Sequence, residues 1–170
     1  MIREIRLEDV EQCVRVIRES FFTVAEEFGF TEENAPRFTA FATNEQRINW
    51  HLNGEHRPMF GYFENDQLIG YYSLLLQKEQ QCELNNLCVL PECRHRKIGT
   101  ELLEDACRKA RNLNCRIINI GIVEENTVLR KWYEKNGFVH IGTEKFDFFP
   151  FTCGYMKKEL DRFLYSIFEY

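Results

Sequence analysis

The chain has 170 residues, of which 44% are hydrophobic and 29% charged, and its formal net charge is −5. This composition is typical of one globular domain and argues against a disordered chain. No apolar run approaches the roughly 20 residues needed to cross a bilayer, so we expect no membrane partner. The acidic balance argues against general nucleic-acid binding, so we expect no nucleic-acid partner either.

The first half of the chain predicts a strand, helices and a hairpin. IREIR is expected to form a strand. LEDVEQCVRVIRESF is expected to form a helix, because the apolar residues of this segment recur at three- and four-residue intervals. A short helix near VAEEFGF and a second one within APRFTAFATNEQRINWHL are predicted before Asn53-Gly54. MFGYFE and LIGYYSLLLQ flank Asn65-Asp66, which predicts a β-hairpin.

The second half alternates strands and helices. CELNNLCVL and RIINIGIV are predicted strands, separated by a helix over residues 96–113 with Ile98, Leu102, Ala106, Ala110 and Leu113 on one side. NTVLRKWYEKNG is predicted to be a helix with Asn126 as its N-cap and Gly137 as its stop. FVHIGTEKF and TCGYMKKEL should form an antiparallel pair, and the tail DRFLYSIFEY a short helix.

The order βα(α)βββαβαββ predicts one domain over residues 1–170, with a core of about 1–159 and a short tail of 160–170. The expected fold class is α/β of the α+β type: a mixed, mostly antiparallel sheet with flanking helices. The seven cysteines show neither CxxC nor zinc-type spacing, and MIREIRLEDV lacks the apolar region of a signal peptide. We therefore expect reduced thiols, no metal and a cytoplasmic protein, with a cysteine nucleophile as the alternative.

A basic turn within LCVLPECRHRKIGTELL joins an apolar strand to a helix. The first N–H groups of that helix lack partners and its dipole favours an anion, while Gly99 leaves room for a phosphate. Four basic residues from Arg94 to Lys97 surround the turn, which predicts a diphosphate site. The segment is neither a Walker A loop nor a GxGxxG motif, so ATP and NAD are poorly supported. A solvated basic turn is the alternative interpretation.

VLPECRHRKIGTELL resembles the acetyl-CoA signature of the GNAT superfamily of N-acetyltransferases. Arg94 fills the first position of that pattern and Gly99 the last, but Lys97 stands where a small residue is usual. ENTVLRKWYEKNGF resembles a second family segment, in the expected order and spacing. The resemblance covers roughly residues 1–159 and implies central strands that splay apart, with the pantetheine arm of acetyl-CoA lying in the gap.

The resemblance implies a set of cofactor-binding residues. These are Leu87, Cys88 and Val89 on the strand, Arg94, His95, Arg96, Lys97, Ile98, Gly99 and Thr100 in the turn, and Asn126. A backbone N–H within residues 87–89 would polarise the acetyl carbonyl. Tyr133 matches the family tyrosine that lies near the coenzyme sulfur, so the resemblance implies that it is a catalytic residue that gives the leaving thiolate a proton or hydrogen bond. Asn126, seven residues earlier, lies on almost the same helix face.

The acceptor amine is largely protonated at neutral pH, with a pKa near 10, so the reaction needs a base. Glu83 lies six residues before Val89, which matches the base position in histone-acetylating members of the family. Even spacing along a strand predicts that Glu83, Asn85, Leu87 and Val89 share one face. A surface glutamate is the alternative interpretation for Glu83, and Glu79 is a weaker candidate base.

The sequence therefore predicts an acetyl-CoA-dependent N-acetyltransferase acting on a small-molecule or peptide amine. A transferase for a longer acyl-CoA and a catalytically silent acyl-CoA-binding module are the alternatives, and an exposed late strand leaves a homodimer open. His51 and His56 are expected near the acceptor side as surface or capping residues, His140 as a structural residue and Trp132 as a core residue. FDFFPF is expected either to wall the acceptor pocket or to cover the core.

Overall fold

The computed structural model describes residues 1–161, in which seven strands form one mixed sheet. The strands are β1 (Ile2–Glu4), β2 (Met59–Glu64), β3 (Gln67–Leu76), β4 (Gln81–Val89), β5 (Ile117–Val123), β6 (Val139–Lys145) and β7 (Thr152–Glu159). Their spatial order is β1-β2-β3-β4-β5-β7-β6. Only β4 and β5 pair in parallel, so the predicted mixed, mostly antiparallel fold is confirmed.

Five α-helices of the described residues accompany the sheet. They are α1 (Val10–Phe28), α2 (Thr39–Ala42), α3 (Glu45–Asn49), α4 (Ile98–Asn112) and α5 (Thr127–Lys135). The separate helix predicted near VAEEFGF is wrong, since α1 continues through Val24 to Phe28 and is capped by Gly29, whose φ is 73°. The predicted second helix is also divided: α2 and α3 are separate, and a π-helical turn, Trp50–Gly54, follows α3. The predicted tail helix falls largely on residues 162–170, outside the described part of the chain.

The two faces of β3 and β4 are covered by different helices. Tyr72 on one face donates a 2.6 Å hydrogen bond from its hydroxyl to Asp105 of α4. Gly70 shares that face, because a Cβ built on it would lie 2.8 Å from the Leu102 side chain of α4. A larger residue at this position would therefore force the Leu102 side chain to shift. Tyr71 faces the other way, towards α1, and is fully buried.

A bulge in β4 changes which residues share a face. The register shifts between the pairs Tyr71↔Cys88 and Ser73↔Asn85, and Asn86 adopts a left-handed φ of 56°. Because cross-strand partners lie on the same face, Cys88 joins Asn85 on the α1 side. Val89, which pairs with Gly70, faces α4 instead.

The prediction that Glu83, Asn85, Leu87 and Val89 share one face is therefore wrong. Glu83 and Asn85 do share the face towards α1, but Leu87 lies within the bulge and Val89 is beyond it. The extra residue in β4 breaks the alternation of a regular strand.

Helix α4 packs as its sequence predicts, with one exception. Ile98, Leu102, Ala106 and Ala110 are buried, whereas Leu113 lies just past the helix end and is 40% exposed. A second, aromatic cluster lies beyond the C-terminal end of α1. There Phe151, before β7, packs against Phe30 and Phe38, with ring centroids 4.8 and 5.8 Å apart. The FDFFPF segment therefore covers this smaller aromatic cluster, which is separate from the main hydrophobic core.

Candidate active site

The parallel strands β4 and β5 separate partway along their length. They pair only from Gln81↔Ile117 to Glu83↔Asn119, and beyond that point no strand within residues 1–161 pairs with the C-terminal part of β4 on this side. The predicted splay is therefore present, and it begins at Glu83. The backbone of residues 87–89 thus lies along an open gap in the sheet, where an extended ligand could add as a strand.

A cavity of about 710 Å³ opens beside this gap. Its walls contain every predicted cofactor residue except Arg96, together with Tyr133: Leu87, Cys88, Val89, Arg94, His95, Lys97, Ile98, Gly99, Thr100 and Asn126. Its size falls within the range of about 300–1,000 Å³ found for ligand pockets. The fold thus brings together the two segments that carry the resemblance, although they are about thirty residues apart in the chain.

The turn before α4 exposes several backbone N–H groups to the cavity. The first intrahelical hydrogen bond at this end runs from the Glu101 N–H to the Lys97 carbonyl, at 3.0 Å, so the amides of residues 98–100 precede it. A Cβ on Gly99 would meet only cavity-wall atoms of Trp132 and Val89, at 3.8 and 3.9 Å. The turn therefore fits a phosphate that approaches closely.

Lys97 occupies the position where the family usually has a small residue. The backbone conformation of Lys97 explains why a small residue is usual there. It adopts a left-handed φ of 63°, a conformation that glycine enters without steric cost and other residues rarely adopt. His95 has a similar φ of 62°. The mismatch at Lys97 is therefore a matter of backbone strain.

Two arginines of the turn already have protein partners. Arg94 donates to the Val89 carbonyl at 3.1 Å, to the Thr23 hydroxyl at 3.1 Å and to the Ser20 carbonyl at 3.0 Å. It therefore ties α1 to the end of β4. Arg96 points away from the cavity and forms a 2.5 Å ion pair with Glu64, which raises the Arg96 pKa.

The Glu83 carboxyl lies at the branch point of the sheet rather than in the cavity wall. Burial raises its pKa, and the charge of Arg57 only opposes that effect. Gln77 donates a weak 3.3 Å hydrogen bond to it, and the same Gln77 accepts one from Asn119 across the gap. A partly buried carboxyl with a raised pKa is the environment expected of a general base near neutral pH.

Tyr133 and Asn126 line the cavity from α5. Tyr133 is 6% exposed, and burial, followed by the neighbouring Cys88, raises its pKa. Its ring packs edge-on against Trp132 and Phe138. Asn126 caps α5 by accepting the Leu129 N–H at 3.2 Å, as predicted. Trp132, expected in the core, lines the cavity as well.

Of the four histidines, His95 in the turn is part of this cavity wall. The other three, His51, His56 and His140, are not. His140 pairs with Glu124 at 2.8 Å, which agrees with a structural role. His51 is partly buried, and burial lowers its pKa. His56 lines a second, smaller cavity beside α4.

Helix α1 contributes residues to the site that the sequence motifs did not predict. Ser20, Phe21, Thr23 and Val24 line the cavity opposite β4. One signal was present: Ser20 continues the apolar stripe of Cys13, Val16 and Ile17, where a hydroxyl is out of place.

A sheet that splits beside the first amides of a helix defines, in this mixed α/β fold, a site for an extended ligand that carries a diphosphate. The sequence model of the acetyltransferase (GNAT) family matches residues 16–138. The chain therefore belongs to the GNAT acetyltransferase family, whose co-substrate is acetyl-CoA, and it is a transferase.

Similar proteins agree with this assignment. The chain is 30% identical over 158 residues to a spermidine N(1)-acetyltransferase of Thermoplasma acidophilum, covering 86% of this chain and 92% of that protein. The structure of a PaiA N-acetyltransferase from Thermoplasma acidophilum in complex with coenzyme A superimposes with a TM-score of 0.80 at 24% identity, covering 94% of this chain and 98% of that one. The ribosomal-protein-S18-alanine N-acetyltransferase of Escherichia coli gives a TM-score of 0.72 at 14% identity and 99% coverage of both chains.

Within residues 1–161, no helix combines the length and apolarity needed to cross a membrane. The same residues contain no group of three His, Cys, Asp or Glu side chains arranged to hold a metal ion.

Proposed function

We propose that the protein transfers the acetyl group of acetyl-CoA directly to a primary amine of a small molecule or peptide. The observation that carries the proposal is the separation of β4 and β5 at Glu83, beside a cavity that reaches the free amides of α4. The similarity to a spermidine N(1)-acetyltransferase supports a polyamine as the first acceptor to test.

The turn and β4 would hold the co-substrate. The N–H groups of residues 98–100 and the positive end of the α4 dipole would bind the diphosphate, with His95 and Lys97 at the same cavity wall. The open edge of residues 87–89 would bind the pantetheine arm as an added strand. The Val89 carbonyl already accepts from Arg94, so the contribution of Val89 is its amide.

Glu83 and Tyr133 would move the protons. The Glu83 carboxylate takes the proton of the amine, directly or through a water, so that the free amine attacks the thioester carbon. The Tyr133 hydroxyl donates to the coenzyme sulfur as the carbon–sulfur bond breaks. Asn126 holds the first turn of α5, and therefore Tyr133, against the cavity.

A binding measurement and an amine-panel assay test this proposal. Coenzyme A at about 100 times its dissociation constant should stabilise the protein by about 2.7 kcal/mol, seen as a rise in Tm. Acetyl-CoA should then release thiol in the presence of spermidine or another primary amine. Binding without thiol release for any amine would assign the silent acyl-CoA-binding module, and faster release from longer acyl-CoAs would assign the longer-chain transferase.

We also propose that two copies pair through β6, the edge strand beside β7. Val139 and Ile141 on this strand are 62% and 52% exposed, and no other strand of residues 1–161 pairs with the outer edge of β6. An exposed apolar edge strand is a template for pairing with another chain. Light scattering should give a molar mass twice that of the chain, and Ile141→Lys should return the monomer value. A monomeric mass for the unmodified protein would contradict the pairing.

A further inference from the structure

The sheet face that carries Glu83 continues across β5 to β7. Cross-strand partners share a face, and Glu83 pairs with Asn119 of β5, which pairs with Lys157 of β7. Two residues further along β5, towards the open part of the gap, Gly121 pairs with Tyr155. Tyr155 therefore stands on the same face as Glu83. Standard strand spacings place the Cα atoms of Tyr155 and Glu83 about 12 Å apart.

Two glycines leave open space on either side of Tyr155. Tyr155 pairs with Gly121 on β5 and with Gly142 on β6. A Cβ built on either glycine would have no heavy atom of residues 1–161 within 4 Å, adjoining residues excepted. The row formed by these three residues thus carries a single side chain, that of Tyr155. It leaves room for a ligand on the side of Tyr155 that faces Glu83.

Tyr155 fixes a carboxylate at the far end of this row. Its hydroxyl donates to Glu144 Oε2 of β6 at 3.0 Å. Burial and this hydrogen bond raise the pKa of Tyr155 to about 12, and the charge of Glu83 adds to the rise, so the hydroxyl remains a donor at neutral pH. Glu144 is exposed, and no lysine or arginine of residues 1–161 forms an ion pair with it. Its charge is therefore available to a cation.

An apolar wall borders the same row. Glu144 pairs with Cys153, which pairs with Val123 on β5, so these residues form the neighbouring row of the face. Cys153 and Val123 pack in the aromatic cluster with Phe41 and Phe151. A ligand that extends along this wall would contact apolar groups in its middle and a carboxylate at each end. Methylene groups between two amines match that pattern.

We propose that Glu144 binds a second, protonated amine of the acceptor while the first amine reacts at Glu83, which makes α,ω-diamines and polyamines the acceptor class. The inference rests on the proposed function. The reacting amine must lose its proton, whereas the remote amine keeps its proton and donates to Glu144. Glu144 therefore determines specificity, and Tyr155 is a positioning residue that holds the Glu144 carboxylate.

Lys157 supports a different acceptor, an amine that carries a carboxylate at its far end. Lys157 lies on the same face, in the row of Asn119 and Glu83. An acceptor carboxylate would be attracted by Lys157 and repelled by Glu144. Glu144 is the stronger candidate, because Tyr155 fixes its carboxylate beside the open row. Acceptors that differ only at the far end separate the two cases.

Three series of acceptors provide the test: α,ω-diamines, alkylamines and ω-amino carboxylates of about four to eight carbons, lengths chosen around the span set by the strand spacings. The ratio of kcat/KM for a diamine to that for the alkylamine of equal length should exceed one and peak at a single length, because two fixed carboxylates set one distance. In Glu144→Gln the peak ratio should fall at least about fivefold, mainly through a higher KM for the diamine. Tyr155→Phe should lower the ratio by a smaller factor.

Glu104→Gln is the matched control for the change in net charge. Glu104 is an exposed residue of α4, which packs on the opposite side of the sheet from Glu83 and Glu144. Its diamine-to-alkylamine ratios should equal those of the wild type. An equal fall of the peak ratio in Glu104→Gln and Glu144→Gln would reduce the effect to net charge and overturn the inference.

Three further results overturn it. They are a wild-type ratio near one at every length, an unchanged peak in Glu144→Gln, and a preference for ω-amino carboxylates, which would assign the face to Lys157. Failure of the proposed function has a different signature. In that case the wild-type protein binds no coenzyme A or acetylates none of the three series, whereas acetylation of alkylamines and diamines at equal rates removes only the role of Glu144.

Discussion

Glu83→Gln should lower kcat/KM for the amine by about 100-fold or more at neutral pH, because the amine then arrives protonated with no base to receive its proton. Burial raises the pKa of Glu83, so the wild-type rate should fall as the pH drops through that raised value. The rate of the Glu83→Gln variant should not show this fall at acidic pH. Near pH 10 about half of the amine is already deprotonated, so the difference between the two rates should shrink as the pH approaches and passes this value.

A pH–rate profile over the acidic to alkaline range measures this effect. Glu79→Gln is the matched control, because Glu79 is an exposed residue of the turn between β3 and β4, four positions away. Its profile should match that of the wild type. An identical profile for Glu83→Gln would remove Glu83 from the mechanism.

The same substitution should not weaken the fold. Because the folded-state pKa of Glu83 is raised, the folded protein binds this proton more tightly than the unfolded chain does. The ionised carboxylate therefore destabilises the fold at pH values above the raised pKa, and this cost is absent below the ordinary pKa of a glutamate. The Tm of Glu83→Gln at pH 7 should equal or exceed that of the wild type, so lost activity would not reflect unfolding.

Tyr133→Phe should retain the affinity for coenzyme A and lose at least about tenfold in kcat, because the departing sulfur loses its proton donor. Burial and Cys88 raise the Tyr133 pKa, so the hydroxyl stays protonated throughout the neutral range. The loss should therefore be constant across that range. Isothermal titration of coenzyme A and steady-state rates with saturating amine measure the two effects.

Tyr72→Phe provides the comparison for Tyr133→Phe. Tyr72 is not part of the cavity wall, and its hydroxyl donates to the buried Asp105 at 2.6 Å. Removing it should lower the free energy of unfolding by about 1–3 kcal/mol and leave kcat unchanged below the Tm. Full turnover in Tyr133→Phe would instead assign that tyrosine to packing between Trp132 and Phe138.

Short segments of the sequence were enough to predict most elements and the position of the site. The Asn65-Asp66 hairpin, the N-cap at Asn126 and the stop at Gly137 depend on neighbouring residues, and the structure shows all three. The basic turn before Gly99 is likewise a local pattern. The roles predicted for Glu83, Tyr133 and the turn stay predictions, because they concern a bound co-substrate.

The order of the residues in the chain determined the local elements of this protein, because backbone conformation, helix caps and tight turns depend on residues a few positions apart. Only the tertiary structure decided that Asn86 forms a bulge, that β4 and β5 separate at Glu83, and that Ser20 completes the cavity wall. It also paired Arg96 with Glu64 and directed Arg94 to α1. These features arise between segments distant in sequence, where the partner across a strand or a cavity sets the direction and environment of each side chain.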